Sequence, residues 1–177
     1  IIRKKGDIFH LMQSLKILKI IIFIYISLLS LDTMSSEIGP EISLYNIGTG
    51  YLPYIYHNGS NEYLGFDYAY ELRGSDYPQR ASWNIVYNAN GTISFRNSYK
   101  NVCIQWYYGD GYRTIQQRCN TVDARQQFNL QLTTTGALLI KSQKNGQCLY
   151  SNGNLYKGTC QPKNLDYFWA LIPPLKK

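Results

Sequence analysis

Gly91-Thr92-Ile93-Ser94-Phe95-Arg96-Asn97, running on to Cys103-Ile104, is answered further along by Gly136-Ala137-Leu138-Leu139-Ile140-Lys141-Ser142, running on to Cys148-Leu149. Each copy then reaches a second cysteine, Cys119 or Cys160. Each ends on an aromatic and apolar strand, Gln126-Gln127-Phe128-Asn129-Leu130 or Tyr167-Phe168-Trp169-Ala170-Leu171. The copies lie 45 residues apart up to the first cysteine and 41 apart from the second onward, so the length difference falls between the cysteines, where a loop absorbs it. An order of strand, cysteine, loop, cysteine and aromatic strand at a period of about 40–45 residues signals a repeat architecture.

A weaker third copy lies upstream. Ile42-Ser43-Leu44-Tyr45-Asn46 follows the pattern of Ile93 to Asn97, Leu52 stands where Cys103 would, and Ser82-Trp83-Asn84-Ile85 follows Gln127 to Leu130, with both cysteines missing. The repeats run over about 42–87, 91–133 and 136–172. Units of short strands and turns cannot bury their apolar faces singly, so the pattern predicts one closed, threefold all-β unit, a β-trefoil. Trp83, Phe128 and Trp169 then hold equivalent places and are expected to be buried around one pseudo-threefold axis.

The Cys…Cys…Gln-x-Phe/Trp arrangement resembles ricin-B-type lectin repeats. More closely, Gln127-Phe128, the stretch Leu132-Thr133-Thr134-Thr135-Gly136-Ala137-Leu138-Leu139-Ile140-Lys141-Ser142, Cys148-Leu149, Cys160, and Trp169 through Ile172-Pro173-Pro174-Leu175 resemble the lectin-type binding subunits of cytolethal distending toxin. Asn61-Glu62-Tyr63-Leu64-Gly65-Phe66 and Trp83-Asn84-Ile85-Val86 favour its A subunit over its C subunit. The resemblance covers about residues 42–175. It implies a non-enzymatic cell-binding and delivery subunit that assembles with a C-type trefoil subunit and a DNase-I-like, B-type nuclease subunit. It also implies docking on a host cell-surface glycan or lipid. The alternative is a free-standing secreted carbohydrate-binding lectin.

Lys16 and Lys19 precede the apolar run Ile20 to Leu31, which reads as a secretory signal peptide cleaved between Ser30 and Ser36. A bilayer-spanning helix needs about 20 such residues. Residues 1–36 are therefore assigned to the leader, with Ile1 to about Gln13 expected to lie upstream of the true start, and residues 37–177 to the trefoil. The expected destination is the bacterial periplasm or outer membrane and then the exterior.

Without the leader, 13 Lys and Arg stand against nine Asp and Glu, a mild excess read as spread along the chain and serving solubility. Charges that are not clustered argue against direct nucleic-acid binding. Behind a signal peptide the four cysteines are expected to be oxidised. They allow three pairings, and the repeat symmetry selects Cys103–Cys119 and Cys148–Cys160. Zinc is set aside, because the spacings lack C-x-x-C and His57 is the one histidine after the leader.

Eight of the sixteen tyrosines after the leader fall between Tyr45 and Tyr77. Tyr54 and Tyr56 alternate, as do Tyr68 and Tyr70, so each pair is expected to share one face of a strand. Tyrosine offers contact area at low entropy cost while keeping a polar tip in water. The resemblance implies an aromatic patch in this region. Aligned without gaps, the family's Trp positions fall near Ile55, Glu62 and Leu64, and Phe66 keeps an aromatic. Tyr54, Tyr56, Tyr63, Phe66 and Tyr68 are the expected surface-binding residues, with Trp106 and Tyr107 as a second site.

No Gly-x-Ser-x-Gly, P-loop or His-Glu-x-x-His occurs. Asp110 and Asp123 fall in loop-like stretches, where turn roles are expected. No catalytic residue, metal ligand or cofactor is assigned. Ricin-type sugar pockets need an early Asp, and none lies between Gly91 and Cys103 or between Gly136 and Cys148. Gln126 holds the Gln position of the second repeat, where a core hydrogen-bonding role is expected, whereas Ala81 and Tyr167 replace it in the other two. Asn58-Gly59-Ser60 and Asn90-Gly91-Thr92 are read as tight turns.

Overall fold

A computed structural model describes residues 36–56, 62–73, 77–107 and 114–175. The expected leader, apart from Ser36, lies outside the described residues, as do Asn58-Gly59-Ser60 and Asp110. In chain order the strands of the first repeat are β1 (Glu37–Asn46), β2 (Tyr51–Tyr54), β3 (Glu62–Tyr63), β4 (Gly65–Tyr68) and β5 (Trp83–Tyr87). The second repeat carries β6 (Ile93–Asn97), β7 (Val102–Trp106), β8 (Thr114–Arg118) and β9 (Phe128–Leu132). The third carries β10 (Leu138–Ser142), β11 (Cys148–Ser151), β12 (Leu155–Gly158) and β13 (Trp169–Ile172).

Six of these strands close into a ring, each antiparallel to the next, in the order β1, β5, β6, β9, β10, β13 and back to β1. The three closing-strand aromatics carry the closure. Trp83 faces Ile42 of its own repeat and Asn97 of the next. Phe128 faces Ile93 and Ser142 in the same way, and Trp169 faces Leu138 and then Asn46, back in the first repeat. All three aromatics are 0% exposed. They pack with inward-facing apolar residues of the neighbouring ring strands, such as Ile42 and Leu44 of β1 and Ile93 and Phe95 of β6. Alternation along a strand sends every second side chain into the barrel, which is how short strands of this composition build one core.

Three hairpins, β2–β4, β7–β8 and β11–β12, are joined to this ring. The indoles of Trp83 and Trp169 each donate to a hairpin carbonyl, Pro53 at 3.2 Å and Leu149 at 3.1 Å. These acceptors follow Leu52 and Cys148, so the geometry supports aligning Leu52 with a cysteine. Where β1, β6 and β10 end, the same turn recurs three times: Gly50 N–H donates to Asn46 O, Asn101 N–H to Asn97 O and Gly146 N–H to Ser142 O. Gly50, Asn101 and Gly146 all have positive φ, at 76°, 53° and 69°. The left-handed conformation of Asn101 belongs to the turn, in a position where Asn is the residue best able to replace Gly.

The cysteines are joined as Cys103–Cys119 and Cys148–Cys160. The first repeat departs from the expectation of strands and turns alone. Among the described residues it contains two single-turn helices, α1 (Ala69–Leu72) and α2 (Tyr77–Arg80). Ala, Glu and Leu favour a helix, and Pro78 fits the first turn of one.

Candidate binding surface

The first repeat has no disulfide, and its β2–β4 hairpin forms a separate two-stranded sheet with Tyr51 opposite Tyr68, Leu52 opposite Asp67 and Tyr54 opposite Gly65. Inside this lobe Leu52, Tyr54, Leu72 and Ala81 make an apolar cluster of their own. Tyr54 was expected at the surface, and the structure corrects this: it is 8% exposed. Its ring lies over the bare backbone of Gly65, where an added Cβ would come within 2.4 Å of the ring. It also meets the rings of Tyr77 and Tyr56 edge-on at 5.4 and 6.0 Å. Burial, followed by the nearby Asp67 charge, pushes its phenol up to about 12.

The outer side of the hairpin is different. Tyr51 and Tyr68 lie 4.4 Å apart by ring centroid, and Tyr68 stacks on Tyr70 at 5.4 Å with an interplanar angle of 13°. Tyr68 is 38% and Tyr70 67% exposed. Phe66 meets Tyr51 edge-on at 6.4 Å and reaches inward to Trp169, also at 6.4 Å, so the ladder is fixed to the barrel core. The carboxyls of Asp67 and Glu71 border it, and with Tyr68 they oppose ionisation of Tyr70 after the first effect, partial loss of solvent. The Tyr51 phenol is raised first by its hydrogen bond to Tyr68.

Among the expected anchors, the structure therefore brings Phe66 and Tyr68 together, adds Tyr51 and Tyr70, and moves Tyr54 inside. Tyr70 follows the end of β4, in α1. The period-two spacing of Tyr68 and Tyr70 was the sequence signal, although no single strand carries both. Tyr56 is exposed and lies past the end of β2, and its carbonyl accepts from Arg80 at 3.0 Å. Tyr63 is exposed on β3, which pairs with β8 of the second repeat and not with the β2–β4 hairpin. Trp106, expected at a second exposed site, is another correction: it is 0% exposed. Every residue of β7 is buried, and Trp106 packs against Phe128 with Lys157 over its ring. Tyr107 is half-buried, and its carbonyl accepts from the Lys157 ammonium.

Gln126 is 1% exposed and its side chain is saturated from within. Its Nε2 donates to Gln105 Oε1 at 2.8 Å and to Arg118 O at 3.0 Å, while its Oε1 accepts from Asn120 N at 2.8 Å. Asp123 caps the 3₁₀ turn Ala124–Gln126 by accepting from Arg125 N at 2.9 Å. It also pairs with the Arg125 guanidinium, whose hydrogen bond holds its pKa below the usual carboxylate range. The hollow over Gln126 thus offers no free carboxylate to clamp sugar hydroxyls. Among the described residues no group of His, Cys, Asp and Glu is placed to hold a metal.

The threefold barrel, the two repeat disulfides and the Gln126 bracket are the setting for the comparisons with known proteins. A family model described as the cytolethal distending toxin A/C domain matches residues 41–177. The chain belongs to that family. Cytolethal distending toxin of Actinobacillus actinomycetemcomitans superposes with a TM-score of 0.67 at 23% identity, over 77% of this chain and 93% of that one. The toxin of Haemophilus ducreyi gives 0.65 at 23% identity, over 77% and 85%. A designed threefold symmetric protein, ThreeFoil, gives 0.62 at 14% identity, over 75% and 97%. At these identities the structural likenesses establish the β-trefoil fold, and the family match makes the chain a cytolethal distending toxin subunit of the A/C kind. A search of curated protein sequences returned no match.

Proposed function

We propose that this toxin-family subunit is the A-type member of a secreted tripartite toxin, with no catalysis of its own. It binds the target-cell surface, a glycan or a lipid, through its tyrosine ladder, and it assembles with a C-type trefoil and a DNase-I-like nuclease. The observation that carries the binding role is the contrast between two places in one molecule. Tyr68 and Tyr70 stand exposed in an aromatic row anchored through Tyr51 and Phe66, whereas Gln126 spends its hydrogen bonds inside the protein. Binding energy concentrates in a few well-packed aromatic anchors. The A-type assignment rests on the Glu62 to Phe66 stretch, in which Gly65 is required beneath Tyr54. Two disulfides suit an oxidising compartment, in keeping with secretion behind a leader.

The test is the double variant Tyr68→Ser with Tyr70→Ser. Cell-surface binding should fall at least tenfold, about 1.4 kcal/mol, with an unchanged circular-dichroism melt. Gln126→Ala should lower the melt and leave binding per folded molecule alone. Binding lost with Gln126 and kept without the tyrosines would favour the free-standing lectin. Co-purification with a nuclease subunit tests the assembly.

A further inference from the structure

The charge is not evenly spread, which corrects the reading made from the whole-chain total. Residues 37–90 hold two Lys and Arg against six Asp and Glu, while residues 91–175 hold nine against three. The tyrosine-bearing repeat is acidic, and the other two together are basic.

A hollow of about 370 Å³, most of whose wall comes from the basic second repeat, opens between the start of β1 and the Cys103–Cys119 bridge. That volume lies within the range of small-ligand sites, about 300–1,000 Å³. Arg96 lines it, half-buried on the strand β6 between its register partners Asn84 and Cys103. Around it are the exposed polar side chains of Asn101, Asn120 and Thr121. No carboxylate lines this hollow. Among the described residues no ion pair or hydrogen bond engages the Arg96 side chain. Glu41 stands one strand further on, opposite Asn84, and its carboxylate accepts from Ser98 at 2.7 Å. A second hollow, of about 420 Å³, shares the Cys119, Asn120 and Gln126 wall and holds Arg118. The acid there, Asp123, is already taken by Arg125.

We propose that the Arg96 hollow is a binding site for an acidic saccharide, a sugar bearing a carboxylate or a sulfate. The anion would take the planar guanidinium fork, which matches such groups with two parallel hydrogen bonds. Asn101, Asn120 and Thr121 supply donors and acceptors for sugar hydroxyls. Arg118 beyond Asn120 gives an extended anionic chain a second cation. A partly desolvated cation without a partner is a cost to the fold, and an anionic ligand removes that cost. The wall of amides and a hydroxyl favours a hydroxyl-rich ligand over a lipid headgroup. The site does not depend on the tyrosine ladder: it lies where the first and second repeats meet, and none of Tyr51, Phe66, Tyr68 and Tyr70 lines it.

The experiment is calorimetric titration of the purified chain with four probes: a sulfated heparin-derived disaccharide, 3′-sialyllactose, neutral lactose, and vesicles containing phosphatidylserine. At least one acidic saccharide should bind and lactose should not; binding of 3′-sialyllactose shows that a carboxylate suffices, whereas binding of the sulfated disaccharide alone assigns the sulfate. Arg96→Gln should weaken that binding at least tenfold with an unchanged circular-dichroism spectrum. Arg96→Lys, which keeps the charge and loses the fork, should weaken it at least threefold, and Lys163→Gln, outside both hollows, should leave it within twofold. Four results would each overturn the proposal: equal binding by Arg96→Gln, an equal loss with Lys163→Gln, binding of lactose as tight as that of the acidic sugars, or binding of the vesicles alone.

Discussion

Replacing Asn97 by Ala tests whether the three repeats are held by one shared device that has been simplified in the last copy. Asn97 is fully buried where β6 ends. Its Nδ2 reaches three carbonyls of the preceding segment, Ser82 at 2.9 Å, Arg80 at 3.0 Å and Gln79 at 3.3 Å. Its Oδ1 accepts from the backbone N–H of Tyr99 at 3.0 Å and Lys100 at 3.1 Å. Asn46 repeats the bracket, donating to the carbonyls of Asp166 and Phe168 and accepting from Thr49. Ser142, the third equivalent, accepts from Lys144 N at 3.1 Å. Each net hydrogen bond is worth about 1 kcal/mol. Two donated protons and two accepted ones give about 4 kcal/mol, reduced because Arg80 O and Ser82 O keep backbone partners in Ile55 and Ser98. Asn97→Ala should therefore cost about 3 kcal/mol and Ser142→Ala about 1 kcal/mol. For a domain of this size the first loss lowers Tm by about 10 °C. Urea unfolding followed by circular dichroism, with the disulfides intact, reads both values as shifts in midpoint at constant slope. Equal losses for the two variants, or a larger one for Ser142→Ala, would refute the bracket.

Gly65→Ala should destabilise by about 1–3 kcal/mol, since its Cβ would press into the buried Tyr54 ring; combined with Tyr54→Ala the thermal melt should show less than the sum of the single losses. Replacing Cys148 and Cys160 together by Ser frees the chain across a 12-residue separation and should cost about 3 kcal/mol in the same urea assay. The Tyr54 phenol, raised to about 12 in the fold against about 10 in an unfolded chain, adds stability that is present below pH 10 and lost as pH climbs toward 12. Ultraviolet phenolate titration of wild type and Tyr54→Phe should differ by one late-titrating group, and Tyr54→Phe should show a flatter loss of stability above pH 10.

The periodicity was legible because the fold reuses it: residues one repeat apart, such as Asn46 and Asn97, make the same backbone contacts at the same strand end. Leu52 could be aligned with a cysteine because packing preserves the position after the bond has gone. The surface was less legible. Tyr54 and Tyr68 look alike in sequence, and only the register, Tyr54 opposite Gly65 and Tyr68 opposite Tyr51, sends one inward and the other out. Trp106 was misplaced because its neighbour Tyr107 suggested an exposed aromatic pair, whereas β7 enters the core through to its last residue. Arg96 gave no signal, because its interest lies in the acids missing around it, which a linear sequence does not display.

The lobe without a disulfide is also the lobe with the tyrosines, and one physical cause links the two. A hairpin that no bond ties down must be fixed by packing, and a small lobe gains most area per ordered residue from aromatic rings. Tyr54, wedged between Gly65 and Tyr77, does in this repeat what Cys103–Cys119 and Cys148–Cys160 do in the others. The rings left outside, Tyr68 and Tyr70, are then set at fixed angles on a hairpin stiffened from beneath. That is the preorganisation a contact surface needs to avoid paying ordering entropy on binding. On this argument loosening Tyr54 should reach the surface without touching it: Tyr54→Ala should weaken cell binding per folded molecule even though its own ring is buried. Tyr77→Phe, which keeps the edge-on packing, should leave binding unchanged. Equal binding by the Tyr54→Ala protein and wild type would separate the packing of this lobe from its function.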